Sequence, residues 1–375
     1  MTQPLPARVG DSVREIDTPA LVLDLDAFEA NVALMAAQAR RLGVALRPHA
    51  KSNKCAEIAR RQIAAGAIGV CVQKVSEAAA LADEGIEDIL ICNELVGDRK
   101  IAAFVDLSSR IRIAACVDDI GNVAAIARIA QAARTRVALM IEVNVGQGRC
   151  GVAPGSPALR LAQALSAEPY LELAGIQAYH GGAQHIRDLR QRAAAARAAI
   201  AQAAVARDAL VAAGIPCPIV TGAGTGTFPY EGASGVYTEV QPGSYVFMDA
   251  DYNRNEWDEA GSNAPPFRQS LHVMAAVMSC VQPGRAIVDA GLKALSVDSG
   301  LPGLADHPGV VYEQASDEHG ILVAAPGAQA PRLGEQVRLI PGHCDPTVNL
   351  YDWLVATRGD RVEGVWPVTA RGCLA

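Results

Sequence analysis

Residues 112–145 read RIAACVDDIGNVAAIARIAQAARTRVALMIEVNV, and this segment is the clearest guide to the fold class. Its two ends, at 112–117 and 136–145, are almost continuously apolar, which is typical of parallel strands covered on both faces. The Ala-rich segment between them has the length and composition of a helix. The stretch therefore predicts a strand–helix–strand unit of a parallel sheet.

The same alternation continues on both sides of this unit, from Thr18 to Gln241. Further strand candidates are ALVLDL (20–25), VALRPHA (44–50), IGVCVQ (68–73), DILICN (88–93), LELAGIQAY (171–179) and PIVTGA (218–223). About eight strands with intervening helices are the pattern of a (β/α)8 barrel. A doubly wound open sheet would also alternate in this way, but the number of strands favours the TIM-type barrel, an α/β fold.

The composition and pattern of the sequence change after about Asn255. Ala-rich helical stretches disappear, and short β-like runs with frequent Gly and Pro follow, such as RAIVDAG (285–291) and GILVAA (320–325). Runs of this kind are typical of a β-domain. We therefore predict a barrel over residues 18–255 and a C-terminal β-domain over residues 256–375, which residues 1–17 are expected to join.

Composition limits the class of protein. The 375 residues are 50% hydrophobic and 19% charged, with a formal net charge of −7. Because phosphate backbones bind basic surfaces, this charge argues against a nucleic-acid partner. Neither a signal-peptide pattern nor a membrane-spanning apolar run is evident, and the nine cysteines are scattered without a CxxC pair. We expect a cytoplasmic protein with no membrane partner.

Active sites of such barrels lie at the carboxyl ends of the strands, so the residues at these positions are candidates for chemistry. The second strand ends in RPHAKSNK (47–54), which places Lys51 or Lys54 at the barrel mouth. A lysine there is a candidate Schiff-base nucleophile, although most loop lysines are simply solvated. Spacing alone leaves the choice between the two lysines open.

Three later strands end in polar or glycine-rich segments. EVNVGQGRCG (142–151) surrounds Arg149 with glycines, and QAYHGGAQH (177–185) holds Tyr179 and two histidines that could be ligands, acid–base groups or capping groups. GAGTGT (222–227) exposes successive backbone N–H groups, which suit a phosphate group. It lacks the Gly-Lys-Ser/Thr ending of a nucleoside-triphosphate loop.

A candidate metal pair stands near the C-terminus, in PGHCDPTVNL (341–350). On an extended segment, His343 and Asp345 would point to the same side and could share one divalent ion. An imidazole with a carboxylate suits Mn²⁺, Zn²⁺ or a similar ion. A hydrogen-bonded His–Asp turn is the alternative. A strand-end lysine, a phosphate loop and a metal pair together describe an aldehyde cofactor with a phosphate tail beside a metal.

These segments resemble the family of D-threonine aldolases, 3-hydroxy-D-aspartate aldolases and D-serine dehydratases, which are alanine-racemase-like, fold-type III pyridoxal-phosphate (PLP) enzymes. The resemblance extends from Thr18 to about Tyr351, and its motifs occur in the family's order. It implies a PLP-binding (β/α)8 barrel with a C-terminal β-domain. It also implies a divalent metal, with Mn²⁺ favoured and Mg²⁺, Co²⁺ or Zn²⁺ as alternatives.

The resemblance also implies roles for individual residues. Lys51 matches the Schiff-base lysine, which favours it over Lys54, and His185 matches a histidine beside the substrate hydroxyl. Tyr179 matches a tyrosine next to the lysine and the cofactor ring. The remaining matches are Arg149 near the phenolic oxygen, Gly224, Thr225 and Gly226 at the phosphate, Gln241 near the pyridine nitrogen, and His343 and Asp345 at the metal.

Two departures bear on the reaction. Dehydratases of the family have His-x-Cys at the metal site, whereas this chain has Asp345, a harder ligand that favours Mn²⁺ or Mg²⁺ and resembles the aldolases. Gln241 stands where the racemases have an arginine. The expected activity is retro-aldol cleavage of a D-3-hydroxy amino acid, D-threonine or 3-hydroxy-D-aspartate, to glycine and an aldehyde. A dehydratase giving a keto acid and ammonia, and a racemase, are the alternatives within the family.

A different class of protein with the same cofactor is a non-catalytic PLP-binding homeostasis protein. Such proteins are normally a lone barrel, so the segment after residue 255 argues against this interpretation. The fold further implies a homodimer, because its relatives often pair with the β-domain of one subunit on the barrel of the other. The expected partners are therefore a small-molecule D-amino acid and a second copy of the chain.

Overall fold

A computed structural model describes residues 4–375, which group into two compact units. The first, the barrel unit, consists of Met35–Lys51, Ile58–Gly243 and Cys373–Ala375. The second, the β-rich unit, consists of the described residues up to Leu34 together with Ser52–Glu57 and Ser244–Gly372. The chain opens with strand β1 (Ala20–Asp24) and helix α1 (Leu25–Leu42).

The barrel unit is built on a sheet of eight parallel strands, in the order β2-β9-β8-β7-β6-β5-β4-β3. Their bounds are β2 (Ala45–Leu46), β3 (Val70–Val72), β4 (Asp88–Glu94), β5 (Arg112–Val117), β6 (Val137–Glu142), β7 (Leu171–Ala178), β8 (Ile219–Gly222) and β9 (Glu239–Val240). Leu46 accepts a hydrogen bond of 2.9 Å from the backbone of Ile68, and Pro48 accepts one of 2.8 Å from Cys71. These bonds join the two ends of the order and close the barrel.

Helices follow the strands, as the alternation predicts. They are α2 (Ala56–Ala64), α3 (Val75–Asp83), α4 (Asp98–Leu107), α5 (Ile120–Ala133), α6 (Ser156–Ser166), α7 (Leu189–Ala212) and the short α8 (Phe228–Gly232). The carboxylates of Asp119 and Asp188 cap α5 and α7 by accepting backbone N–H bonds of 3.0 and 2.7 Å from the first turn. These caps satisfy donors that a helix start otherwise leaves unpaired.

The β-rich unit contains a nine-stranded sheet in which β1 is a central strand. The other members are β10 (Leu271–Ser279), β11 (Arg285–Val288), β12 (Gly303–Leu304), β13 (Val310–Ala315), β14 (Gly320–Ala324), β15 (Gln336–Ile340), β16 (Trp353–Arg358) and β17 (Arg361–Pro367). Strand β1 pairs with β10 in the antiparallel sense and with β16 in the parallel sense. A short helix, α9 (Cys344–Val348), lies between β15 and β16.

The predicted fold class is confirmed, but the membership of the barrel needs a correction. The run ALVLDL (20–25), predicted as the first barrel strand, lies in the nine-stranded sheet, and β9 completes the barrel instead. An apolar run indicates only that a strand is buried on both faces, which a central strand of either sheet satisfies. The compact units accordingly differ from the predicted boundaries, since β1 and residues 244–255 group with the β-rich unit.

Two further observations concern the chain as a whole. Within residues 4–375, every helix is too short or too polar to cross a membrane. All nine cysteines are free thiols, and five of them are buried.

Candidate active site

Lys51, the predicted Schiff-base lysine, follows the carboxyl end of the first barrel strand. Strand β2 is followed by a single 3₁₀ turn, Ala50–Ser52, which holds the half-buried Lys51. The backbone N–H of Lys51 donates to Nδ1 of His49 over 3.4 Å. Burial, and then the charges of Lys51 and Arg149, hold the pKa of His49 well below its ordinary value. The imidazole of His49 is therefore held in its neutral form at this strand end.

The loop after β6 carries Arg149 and is held by side chains of its own. The carboxamide oxygen of Asn144 accepts the N–H groups of Gly146 and Gly148, both at 3.1 Å. Gln147 accepts the N–H of Gly181, which ties this loop to the one after β7. Arg149 itself is exposed at the end of this braced loop.

A cluster of titratable side chains lies beside the same loop. Nothing in the sequence indicated that these residues come together. One ligand atom each of Glu94, Asp118 and Cys150 lies within 4.8 Å of the others. The neighbouring Glu142 is 5% exposed, and its Oε2 has no hydrogen-bond partner among residues 4–375. Burial, followed by the charge of Glu94, raises the pKa of Glu142 to about 8. At neutral pH this carboxyl group is therefore largely protonated.

The loop after β7 places the predicted Tyr179 and His185 at different depths. Tyr179 is half-buried, whereas His185 ends the 3₁₀ helix Gly181–His185 and is exposed on the described chain. His180 lies between them, and burial lowers the pKa of its ring. Its Nδ1 has no hydrogen-bond partner within residues 4–375, so His180 is a second polar group that sequence reasoning left unassigned.

The predicted phosphate loop follows β8. Ala223 adopts a left-handed conformation, with φ of 66°, which is uncommon outside glycine. Within the part of the chain that the structure describes, the backbone N–H groups of Ala223 and Gly224 have no hydrogen-bond partner. Successive N–H groups in such a turn form a concave anion site. The geometry therefore suits a phosphate group.

Gln184 holds this phosphate loop from the neighbouring strand end. Its side chain is fully buried, and its Oε1 accepts the N–H of Gly226 at 3.0 Å. Its Nε2 donates to Oγ1 of Thr227 at 2.8 Å and to the carbonyl of His180 at 3.2 Å. The N–H of Gly226 is thus already used, which leaves the earlier part of the loop for an anion.

The predicted cofactor ligand Gln241 belongs to a buried network inside the barrel. Its Nε2 donates to Gln177 and Thr221, each at 2.8 Å, and its Oε1 accepts from Gln177 at 3.1 Å. Both amide protons are therefore in use. To donate to a ring nitrogen, Gln241 would have to give up one of these bonds.

The predicted metal pair lies in the β-rich unit, on a local structure that differs from the expected one. His343 is extended, with φ of −142° and ψ of 122°, but it is the N-cap of α9, so Asp345 already belongs to a helix. The expected extended segment is therefore wrong from Cys344 onwards. The two side chains still interact, because Asp345 is the leading charge that raises the pKa of His343 against the opposing effect of burial.

Two aspartates that lie far away in sequence complete the surroundings of this pair. Asp298 lies 2.8 Å from Nδ1 of His343, and buried Asp249 accepts the backbone N–H of Cys344 at 3.0 Å. Both carboxylates add to the charge that raises the pKa of His343. An imidazole with the carboxylate of Asp345 nearby is a donor set that fits a hard or borderline divalent cation such as Mn²⁺.

Comparisons with known proteins agree with this architecture. The family described as alanine racemase, N-terminal domain, matches residues 23–251, and a putative serine dehydratase domain matches residues 270–357. The chain is 48% identical to a D-threonine aldolase of Arthrobacter sp. over 369 residues, which are 98% of this chain and 96% of the relative. These matches define an alanine-racemase-like protein.

Two further comparisons narrow the family. A 3-hydroxy-D-aspartate aldolase of Paracoccus denitrificans, strain Pd 1222, is 43% identical over 371 residues, covering 98% of this chain and 95% of the relative. The crystal structure of a D-threonine aldolase from Filomicrobium marinum superposes with a TM-score of 0.95 at 49% identity, covering 99% of this chain and all of that one. The chain belongs to the family of D-threonine and 3-hydroxy-D-aspartate aldolases.

This family supports PLP as the cofactor, and the barrel unit fits it on two observations. The unpaired N–H groups of Ala223 and Gly224 suit its phosphate. Lys51 stands at a strand end next to neutral His49, where an amine can meet an aldehyde. The roles of the individual site residues are developed as proposals below.

Proposed function

We propose that this protein is a carbon–carbon lyase that cleaves a D-3-hydroxy amino acid, D-threonine or 3-hydroxy-D-aspartate, into glycine and an aldehyde. The observation that carries the proposal is similarity over nearly the whole chain to aldolases for both substrates, at 48% and 43% identity. The presence of Asp345 rather than cysteine in the metal pair supports the same reaction.

The barrel residues are proposed to hold the cofactor and the substrate amine. Lys51 supplies the amine that binds the cofactor aldehyde, and the N–H groups of Ala223 and Gly224 bind its phosphate. Arg149 and Tyr179 are assigned to the phenolic oxygen and to the lysine side of the ring. Thr225 and Gly226 complete the phosphate loop, with Gly226 serving through its bond to Gln184.

The reaction needs one proton to leave the substrate hydroxyl and one to reach Cα. His185 is proposed to accept the hydroxyl proton, after which the Cα–Cβ bond breaks and the aldehyde leaves. When bound, PLP supplies an electron-accepting ring, and the divalent ion supplies a Lewis acid that lowers the pKa of the hydroxyl. His343 and Asp345 would hold that ion, and a proton delivered to Cα gives glycine.

The test is a product assay. Purified protein with PLP and Mn²⁺ is incubated with D-threonine or D-3-hydroxyaspartate, and glycine, aldehyde, ammonia and keto acid are measured. The L-isomers and an EDTA-treated sample serve as controls. We expect glycine and aldehyde from the D-isomers only, with the activity lost in EDTA.

The dehydratase reaction is the second candidate, because a putative serine dehydratase domain matches residues 270–357. In that reaction a base removes the α-proton and hydroxide leaves Cβ, so the products are a keto acid and ammonia. Ammonia without glycine in the assay would establish this alternative and refute the aldolase proposal. It would also mean that Asp345 does not decide between the two reactions.

Three further assignments complete the proposal. Mn²⁺ is the proposed ion, because Asp345 offers a hard oxygen ligand beside His343 where the dehydratases have cysteine. A cytoplasmic location is supported by nine free thiols, which persist in a reducing compartment. A homodimer is the proposed assembly, as the resemblance implies, and sedimentation equilibrium would measure it directly.

A further inference from the structure

The carboxylate of Asp298 contacts the proposed metal ligand His343, although 45 residues separate the two in sequence. The distance from Oδ2 to Nδ1 is 2.8 Å. We infer that Asp298 is a positioning residue, which holds the His343 ring so that Nε2 is the nitrogen that a divalent ion meets. The inference rests on the proposed function only in taking His343 as a metal ligand.

The chemistry of the pair fixes which nitrogen carries the proton. An ionised carboxylate only accepts hydrogen bonds, so Nδ1 of His343 must be the N–H donor. In the neutral imidazole the lone pair then lies on Nε2, the only ring nitrogen left to bind a cation. A ligating histidine that donates its other N–H to a carboxylate is the usual second layer of a protein metal site.

Asp298 is itself held in place on both of its oxygens. The hydroxyl of Ser296 donates to Oδ1 at 2.7 Å, and that of Ser299 donates to Oδ2 at 3.3 Å. The backbone N–H of Ser296 donates to Oγ1 of Thr347 at 3.1 Å, and the Thr347 hydroxyl donates to the carbonyl of His343 at 2.8 Å. The loop of Asp298 and the start of α9 are therefore linked at two separate points.

Stability alone does not explain this arrangement. The Asp298 side chain is 51% exposed and that of His343 is 29% exposed, and ion pairs this open contribute little to the free energy of unfolding. Yet three hydroxyl groups and one backbone N–H are arranged around the pair. What the arrangement does fix is the ring orientation and the proton position of His343.

Mn²⁺ binding to the metal-stripped protein with PLP retained tests the inference. Isothermal titration calorimetry would compare wild type, Asp298→Ala, Asp298→Asn and His343→Ala, with Glu313→Ala as the control. Glu313 is an exposed carboxylate of the same unit without a contact to His343. We expect Asp298→Ala to raise the Kd about 10- to 100-fold, as is typical for loss of such a partner.

The asparagine variant separates positioning from direct ligation. Its amide oxygen can still accept the Nδ1–H of His343, so Asp298→Asn should recover most of the affinity, with melting temperatures unchanged. If Asp298→Asn loses as much affinity as Asp298→Ala, Asp298 is a ligand or a charge, and positioning is refuted. Unchanged binding in Asp298→Ala also refutes it, whereas unchanged binding in His343→Ala removes the proposed metal site as well.

Discussion

Lys51 and Lys54 form a matched pair for testing which amine holds the cofactor. Lys51 lies at a barrel strand end next to neutral His49, whereas Lys54 is buried, has a φ of 49° and accepts a hydrogen bond from Ala370 on its carbonyl. Arginine keeps the charge of either side chain but stays protonated, so it cannot act as the nucleophile.

We therefore expect Lys51→Arg to lose the absorbance band of protein-bound PLP and the aldolase activity together. Lys54→Arg should keep both. The measurement is a visible spectrum of the dialysed protein, followed by the glycine assay. A Lys51→Arg protein with an unchanged band would move the assignment to another lysine.

The buried carboxyl group of Glu142 should make the free energy of unfolding depend on pH. Its pKa of about 8 in the folded protein exceeds the ordinary glutamate value, mainly because the side chain is buried. Between about pH 4.5 and pH 8 the folded chain keeps a proton that the unfolded chain has released. The free energy of unfolding should therefore fall as pH rises, at about 1.4 kcal/mol per pH unit from this group.

Glutamine at this position cannot ionise. The contribution of this site to the fall in the free energy of unfolding with rising pH should therefore be absent in Glu142→Gln. Urea unfolding at pH 5, 6.5 and 8 should show the variant gaining stability relative to wild type as pH rises. Glu87→Gln, at an exposed position of the same unit, is the control and should show no such trend. A constant difference between Glu142→Gln and wild type would contradict a protonated Glu142.

Among the structural elements, the turn after β8 is packed so closely that one added methyl group at Gly226 should disturb it. A Cβ added at Gly226 would lie 2.5 Å from the backbone carbonyl oxygen of Gln184, which cannot move aside as the end of a flexible side chain could. Overpacking of this kind typically costs about 1–3 kcal/mol. Gly226→Ala should therefore lower both the melting temperature and the affinity for PLP.

Gly303→Ala is the control for this substitution, because the nearest atom to its added Cβ is 3.9 Å away. Differential scanning fluorimetry and fluorescence titration with PLP would measure the two effects. Full PLP affinity in Gly226→Ala would show that the loop tolerates the shift and that the phosphate lies elsewhere.

The alternation of strands and helices was enough to predict a barrel and to place Lys51, Arg149 and the predicted phosphate loop at strand ends. It could not identify β9, since two residues are too few to form an apolar pattern. Nor could it assign β1, because a central strand of either sheet is equally apolar. Asp298 was missed for a different reason: it approaches His343 only through folding and belongs to no motif.

In the whole molecule, the position of β1 predicts that the chain cannot be cut after the barrel without leaving an unpaired apolar strand. Strand β1 pairs with β10 and β16, both of which lie beyond Gly243. Leu21 and Leu23 are fully buried in the complete chain, and burial of one such side chain contributes about 1.5–3 kcal/mol. A chain that ends at Gly243 would leave this strand unpaired and its leucines exposed.

We expect residues 1–243 to aggregate on expression, whereas the full chain remains folded. The measurement is the soluble fraction, followed by size-exclusion chromatography and far-ultraviolet spectra of both chains. This outcome follows from sheet pairing, because an apolar strand edge without partners is a template for aggregation. A soluble monomer of residues 1–243 would contradict this prediction.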